Sequence, residues 1–148
     1  MKKGKILLIT PNLKGVTDGV NRIQPSLGLM LIAPILENEG HKVKIYDAAL
    51  DGWSNREKID PKKNIVMIGQ TDNKIAKVIS DFSPDIVAVS VLFSNLLESA
   101  HNIAKKVKKI KKNTTVILGG NHISSMVTDY KISKIDKNSN LPNYIKDL

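Results

Sequence analysis

The stretch "DIVAVSVLFSNLLESAHNIAKKVKKIKKNTTVILGG", residues 85–120, changes its hydrophobic period twice. It opens on a continuous apolar run, residues 85–91, with the length and β-branched content of a strand buried on both faces. From Ser94 or Asn95 a helix is expected, because Ala100, Ile103, Ala104, Val107 and Ile110 fall three and four residues apart and so share one face. The pattern then returns to a short apolar run that stops on Gly119 and Gly120. Two strands joined through a helix imply a right-handed crossover and a parallel sheet.

The same alternation extends outward. "KILLIT" (5–10) is a short buried strand ended by Pro11 and Asn12, and residues 11–24, without period, read as a loop. Pro25 opens "PSLGLMLIAPILENEG", apolar on most faces up to Gly40, which predicts a well-buried helix. Pro34 lies inside it and removes an intrahelical bond at a cost of about 3 kcal/mol, so a kink or break is expected there. "HKVKIYDA" (41–48) alternates as a second strand, whereas residues 51–70 give no clear pattern beyond Ile65–Ile68. "TDNKIAKVISDFSPD" begins a helix with Thr71 as its N-cap and Ile75, Val78, Ile79 and Phe82 inside, stopped by Pro84.

Four clear strands with helices on both faces make this an α/β chain, a doubly wound, Rossmann-like parallel sheet. "YKISKI" (130–135) is a candidate for an incomplete fifth strand. The domain is expected to span residues 1–128, followed by a polar, loose tail over residues 129–148.

Composition narrows the chemistry. The chain has 148 residues and no cysteine, which excludes disulfides, thiolate metal sites, cysteine nucleophiles and an iron–sulfur cluster held by its own residues. No apolar run approaches the roughly 18 residues of a membrane span. Pro11 also ends the first run too early for a signal-peptide core, so a cytoplasmic protein without membrane contact is expected. The net charge of +9 rests largely on lysine, but its densest stretch, "AKKVKKIKK" (104–112), is the solvated side of an amphipathic helix. With no aromatic pair for base stacking beside it, nucleic acid is not an expected partner.

Ligands of such sheets bind beyond the carboxyl ends of the strands, which directs attention to "TPNLKGVTDGVNRIQ" (10–24), "SVLFSN" (90–95) and "GGNHISS" (119–125). The first loop carries neither the dinucleotide fingerprint G-x-G-x-x-G nor the phosphate-binding G-x-x-x-x-G-K-[ST]. Ser90 ends the third strand where a receiver domain would need its phosphoacceptor aspartate, and it lacks the G-x-S-x-G elbow of a serine nucleophile. Asp18, Asp47 and Asp72 are isolated carboxylates suited to loop, strand-end and helix-start roles. No residue of this chain is therefore assigned as catalytic or as a metal ligand.

Ser90-Val91-Leu92 and Gly119-Gly120, with 26 residues between them, resemble the later half of the signature of cobalamin (vitamin B12) binding domains. "PSLGLMLIAPILENEGHKVKIYD" and "SPDIVAVSVLFSN" are further similar to the amino-terminal domain of cobalamin-dependent radical S-adenosylmethionine enzymes. The resemblance implies that Ser90, Val91, Leu92, Gly119 and Gly120 line a slot for the nucleotide tail of cobalamin. It places Asn121 and His122 at the same crevice, where His122 either contacts the cofactor or bonds backbone at a helix start. Asn12 and Arg22, with Thr17 and Asn21, then border the lower corrin face.

The first half of that signature, Asp-x-His-x-x-Gly, has no match in residues 10–28. The implied cofactor is thus cobalamin without a protein histidine on cobalt. His41 is expected exposed in a turn after Gly40, and His101 half-exposed on its helix. Because radical S-adenosylmethionine chemistry needs three cysteines, the implied role is a cobalamin-carrying module that is not catalytic alone and serves a radical S-adenosylmethionine protein or domain. The alternative is a cofactor-free interaction or scaffold module of the same fold, docking through an exposed sheet edge.

Overall fold

The computed structural model describes residues 3–135. Four parallel strands form the main sheet in the order β3-β1-β6-β7: β1 (Lys5–Thr10), β3 (Lys42–Asp47), β6 (Ile86–Ser90) and β7 (Thr115–Gly119). Their register sets Leu8 against Ile45 on one side and Ala88 on the other, with Ile117 beyond Ala88. Side chains alternate between faces along each strand, so Leu7, Ile9, Val87 and Val89 point to one layer while Ile6, Leu8, Ile86 and Ala88 point to the other.

The first of those layers holds the larger core. Helices α3 (Asp72–Phe82) and α4 (Leu97–Ile110) bury Ile75, Ile79, Ala100, Ile103 and Val107 there, the residues their spacing selects. Thr71 caps α3 by accepting the Lys74 N–H at 3.3 Å, and Lys108 and Lys111 of the basic stretch donate to the Thr114 and Pro84 carbonyls beyond α4. Ile110 departs from expectation and is exposed at the end of the helix.

Helix α1 (Leu27–Asn38) covers the second face, and here the expectation of a well-buried helix is corrected. Only Leu29 and Ala33 are buried, whereas Leu27, Met30, Leu31 and Ile35 stand 52–70% exposed. The helix packs mainly on β3 and β1, with Ile86 and Ala88 of β6 at the edge of the same cluster, and its exposed apolar side has no partner among the described residues. It also runs through Pro34 without ending, because the proline lies on the exposed side, where the carbonyl left unpaired can be solvated.

The stretch without clear pattern, 51–70, is ordered. After the short α2 (Ala48–Asp51), β4 (Arg56–Asp60) and β5 (Ile65–Ile68) pair antiparallel, and β5 pairs in turn with β2 (Leu13–Val16), inside the segment read as a loop. This second sheet has the order β2-β5-β4. A last helix, α5 (Asn121–Ile135), replaces the expected fifth strand: residues 130–135 continue it across the boundary expected at residue 128. The Ser124 N–H donates to the Gly120 carbonyl in its first turn, and Met126 is buried. Residues 136–148 of the expected tail lie outside the described residues. Among those described, no helix is long and apolar enough to cross a membrane.

Candidate functional site

The chain leaves β1 through α1 to reach β3 on one side, then returns to β6 on the other side of β1. Connections therefore diverge between β1 and β6, and the crevice beyond their carboxyl ends is where an open α/β sheet accepts a ligand. Thr10 closes β1 and Ser90 closes β6 at that point.

A cavity of about 250 Å³ lies there. Its polar lining is Thr10, Ser26, Ser90, Gln24 and Arg22, and its apolar lining includes Leu13, Leu92, Phe93 and Leu96. Arg22 is the single charged residue among them. The Ser26 hydroxyl, just before α1, and the Ser90 hydroxyl are 3.3 Å apart. Thr10 Oγ1 is buried without a hydrogen-bond partner, alone in this among the described side chains. Leu92 and Phe93 are 44% and 60% exposed, so the mouth carries an apolar rim.

The α1 side of the sheet ends in a row of small or polar residues, Asp47, Thr10, Ser90 and Gly119, in register. Ile117, two residues before Gly119 on the same face, is 50% exposed, since α1 packs chiefly over β3 and β1. The face over β7 is therefore open beside Ser90, with no side chain at Gly119.

The two glycines at its end have different roles. A Cβ on Gly119 would meet nothing within 4 Å, so this residue supplies the open space. Gly120 has φ +110°, and a Cβ there would stand 2.7 Å from the Val91 carbonyl oxygen. Its requirement is backbone packing: the Val91 N–H donates to the Gly119 carbonyl at 2.6 Å, and the His122 N–H to the Val91 carbonyl at 3.2 Å. Val91 is fully buried and serves this junction. Asn121 and His122 begin α5 and are not among the residues lining the cavity.

The loop after β1 sorts equally clearly. Arg22 lines the cavity, whereas Asn12 turns away, its amide donating to the Gln70 carbonyl at 2.7 Å and accepting the Gln70 N–H at 3.0 Å. Asn12 instead borders a second cavity, of about 380 Å³, between the small sheet and helices α3 and α4. Asn21 closes its own loop on both backbone groups of Val16, and the Thr17 hydroxyl donates to the Asn64 carbonyl. His41 is partly buried rather than exposed, its Nδ1 accepting the Gly4 N–H at 3.1 Å, and His101 is half-exposed on α4.

Sequence reasoning pointed to the loop 10–24 without singling out its Thr10 or Gln24, and it missed Ser26. Their position after an apolar strand and before a helix was the available signal, but no motif marks them. Asp47 was read as a strand-end residue, and it caps α2 by accepting the Leu50 N–H at 2.9 Å. Burial raises its pKa above the usual carboxylate value, against the lowering effect of the Leu50 and Ala49 N–H groups. The Tyr46 phenol is likewise held well above its ordinary pKa by burial, then by its bond to Asp51 and the nearby carboxylate charges.

The B12 binding domain family matches residues 13–137. The chain is 32% identical over 118 residues to the cytidylyl-2-hydroxyethylphosphonate methyltransferase of Streptomyces wedmorensis, covering 80% of this chain and 22% of that protein. It is also 32% identical over 125 residues to an uncharacterized methyltransferase of Pyrococcus horikoshii, covering 84% of this chain and 23% of that protein. The chain thus spans under a quarter of the length of these relatives.

Proposed function

The chain belongs to the B12 binding domain family, and from that premise we propose that it holds cobalamin at the β1–β6 crevice for a methyltransferase of the radical S-adenosylmethionine type. The observation that carries this reading is the cavity at the switch point, lined by Thr10, Ser26, Ser90 and Arg22, with open space at Gly119 on the neighbouring strand end. The residues suit the group. A large cofactor with a flat heterocyclic tail needs a wall without side chains, polar partners for buried nitrogen and oxygen atoms, and one cation near a phosphodiester. Gly119, the Thr10, Ser26 and Ser90 hydroxyls, and Arg22 offer these.

Cobalamin, when bound, supplies group-transfer chemistry at its cobalt. The chain's residues would bind and orient it: Ser90 and Ser26 would meet the tail, Arg22 would face its negative charge, and Leu92 and Phe93 would exclude water at the rim. Residues 10–28 carry no Asp-x-His-x-x-Gly motif, which favours a cobalt without a protein histidine. The chain contains no cysteine, so cluster chemistry would belong to a separate protein or domain. The methyltransferase names of two relatives and the small share of their length matched here favour such a division of labour.

The competing reading is a cofactor-free interaction module, favoured by the exposed apolar side of α1. Incubating the purified chain with hydroxocobalamin, desalting it and recording the visible spectrum separates the two. A corrin spectrum that co-elutes with protein is expected; a colourless protein fraction at tens of micromolar would leave the interaction reading.

A further inference from the structure

We infer that the Thr10 hydroxyl is a ligand contact, hydrogen-bonding the part of the cofactor that enters the cavity; this rests on the cobalamin reading. Buried hydroxyls are nearly always paired. Thr10 Oγ1 is not, although it sits in a region with other polar groups. The other hydroxyls lining the cavity, Ser26 and Ser90, bond each other. The next residue, Pro11, has no N–H to offer.

Thr10 nevertheless lines the cavity, on the same sheet face as Ser90. The hydroxyl, methyl and hydrogen on a threonine Cβ take the three staggered positions, so one χ1 step can carry the methyl into the place the hydroxyl held while the hydroxyl moves to the third position. Such a step would leave an apolar group in the enclosed position and free the hydroxyl to turn towards the cavity that Thr10 lines. A ligand with a nitrogen or oxygen in the cavity therefore gains a bond that the free protein does not make, and relieves an unpaired buried group.

Size decides which part of the cofactor this is. The cavity's 250 Å³ is below the roughly 300–1,000 Å³ that encloses a drug-sized ligand, so it encloses a fragment of the cofactor and not the whole of it. The nucleotide tail, with a heterocyclic nitrogen and ribose hydroxyls, has both the size and the polar atoms.

The test compares cobalamin with cobinamide, which lacks the nucleotide tail, on the wild type, Thr10→Val and Thr10→Ser. Thr10→Val should melt at or above the wild-type temperature without ligand, and bind hydroxocobalamin about tenfold more weakly, as for one lost hydrogen bond. Its cobinamide affinity should be unchanged, and Thr10→Ser should keep cobalamin binding. A lower melting temperature of free Thr10→Val would reveal a structural partner and overturn the proposal. Equal cobalamin binding by Thr10→Val and wild type, or equal loss for both corrins, would overturn it as well. A wild type that binds neither corrin would instead overturn the cobalamin reading on which it stands.

Discussion

Ser26 Oγ and Ser90 Oγ meet at 3.3 Å, joining the residue before α1 to the last residue of β6 across the crevice between β1 and β6. A contact this long is weak, so its value lies in holding two small side chains where the cavity needs them. Ser90→Ala is expected to leave the melting temperature nearly unchanged and to weaken corrin binding only a few-fold. Ser90→Leu fills the cavity floor and is expected to remove binding while the folded far-ultraviolet signal persists. Equal corrin affinity in Ser90→Leu and wild type, by spectroscopic titration, would place the ligand elsewhere.

The glycine pair predicts opposite outcomes at adjacent positions. Gly119→Ala puts a methyl group into open space and is expected to keep or raise stability, by up to about 1 kcal/mol, through a less flexible unfolded chain. Gly120→Ala meets the Val91 backbone from a left-handed conformation and is expected to cost more than about 1 kcal/mol. Denaturant unfolding of both variants checks this. Gly119→Leu, tolerated by the fold, should lower corrin affinity.

Asn12 is predicted to act on the fold and not on the ligand. Asn12→Ala breaks two bonds to the Gln70 backbone and is expected to destabilise by about 1–3 kcal/mol. Corrin affinity, measured well below the melting temperature, should stay within a few-fold of wild type. A large loss of affinity with intact stability would return Asn12 to the ligand site.

How far the sequence revealed this fold depends on where each segment finds its partners. The β6–α4–β7 crossover is legible because Val87, Val89, Ile103 and Val107 are buried by local period alone. The second sheet is not, because β2 and β4 are short, β4 carries Arg56, Glu57, Lys58 and Asp60, and Leu13 pairs with Ile68 far along the chain. Helix α1 misled for a different reason: an apolar sequence states that a surface avoids water, not what covers it. Of the residues lining the cavity, Ser90 and Leu92 were legible from the motif and Arg22 from its loop, whereas Gly119 lies outside that lining. The separate tasks of Gly119 and Gly120 needed a backbone torsion and the position of Val91.

The half-buried Asp47 gives a pH signature. Its folded pKa is raised, so the native state binds its proton more tightly than the unfolded chain, and ionisation costs stability as pH rises above the unfolded value near 3.8. Asp47→Asn keeps an acceptor for the Leu50 N–H and removes the charge. The variant should therefore gain stability relative to wild type as pH rises from about 4 towards neutrality, with the gain absent at lower pH. Urea titrations at several pH values would show it, and a gain confined to acid would refute the burial effect.

The central claim is that the crevice between Thr10 and Ser90 holds part of a cobalamin. Equilibrium dialysis of the wild type and Ser90→Leu against hydroxocobalamin measures it most directly, with bound corrin read from the visible spectrum. The account predicts saturable binding of one corrin per wild-type chain and none by Ser90→Leu. Failure of the wild type to bind, or equal binding by both proteins, would contradict it.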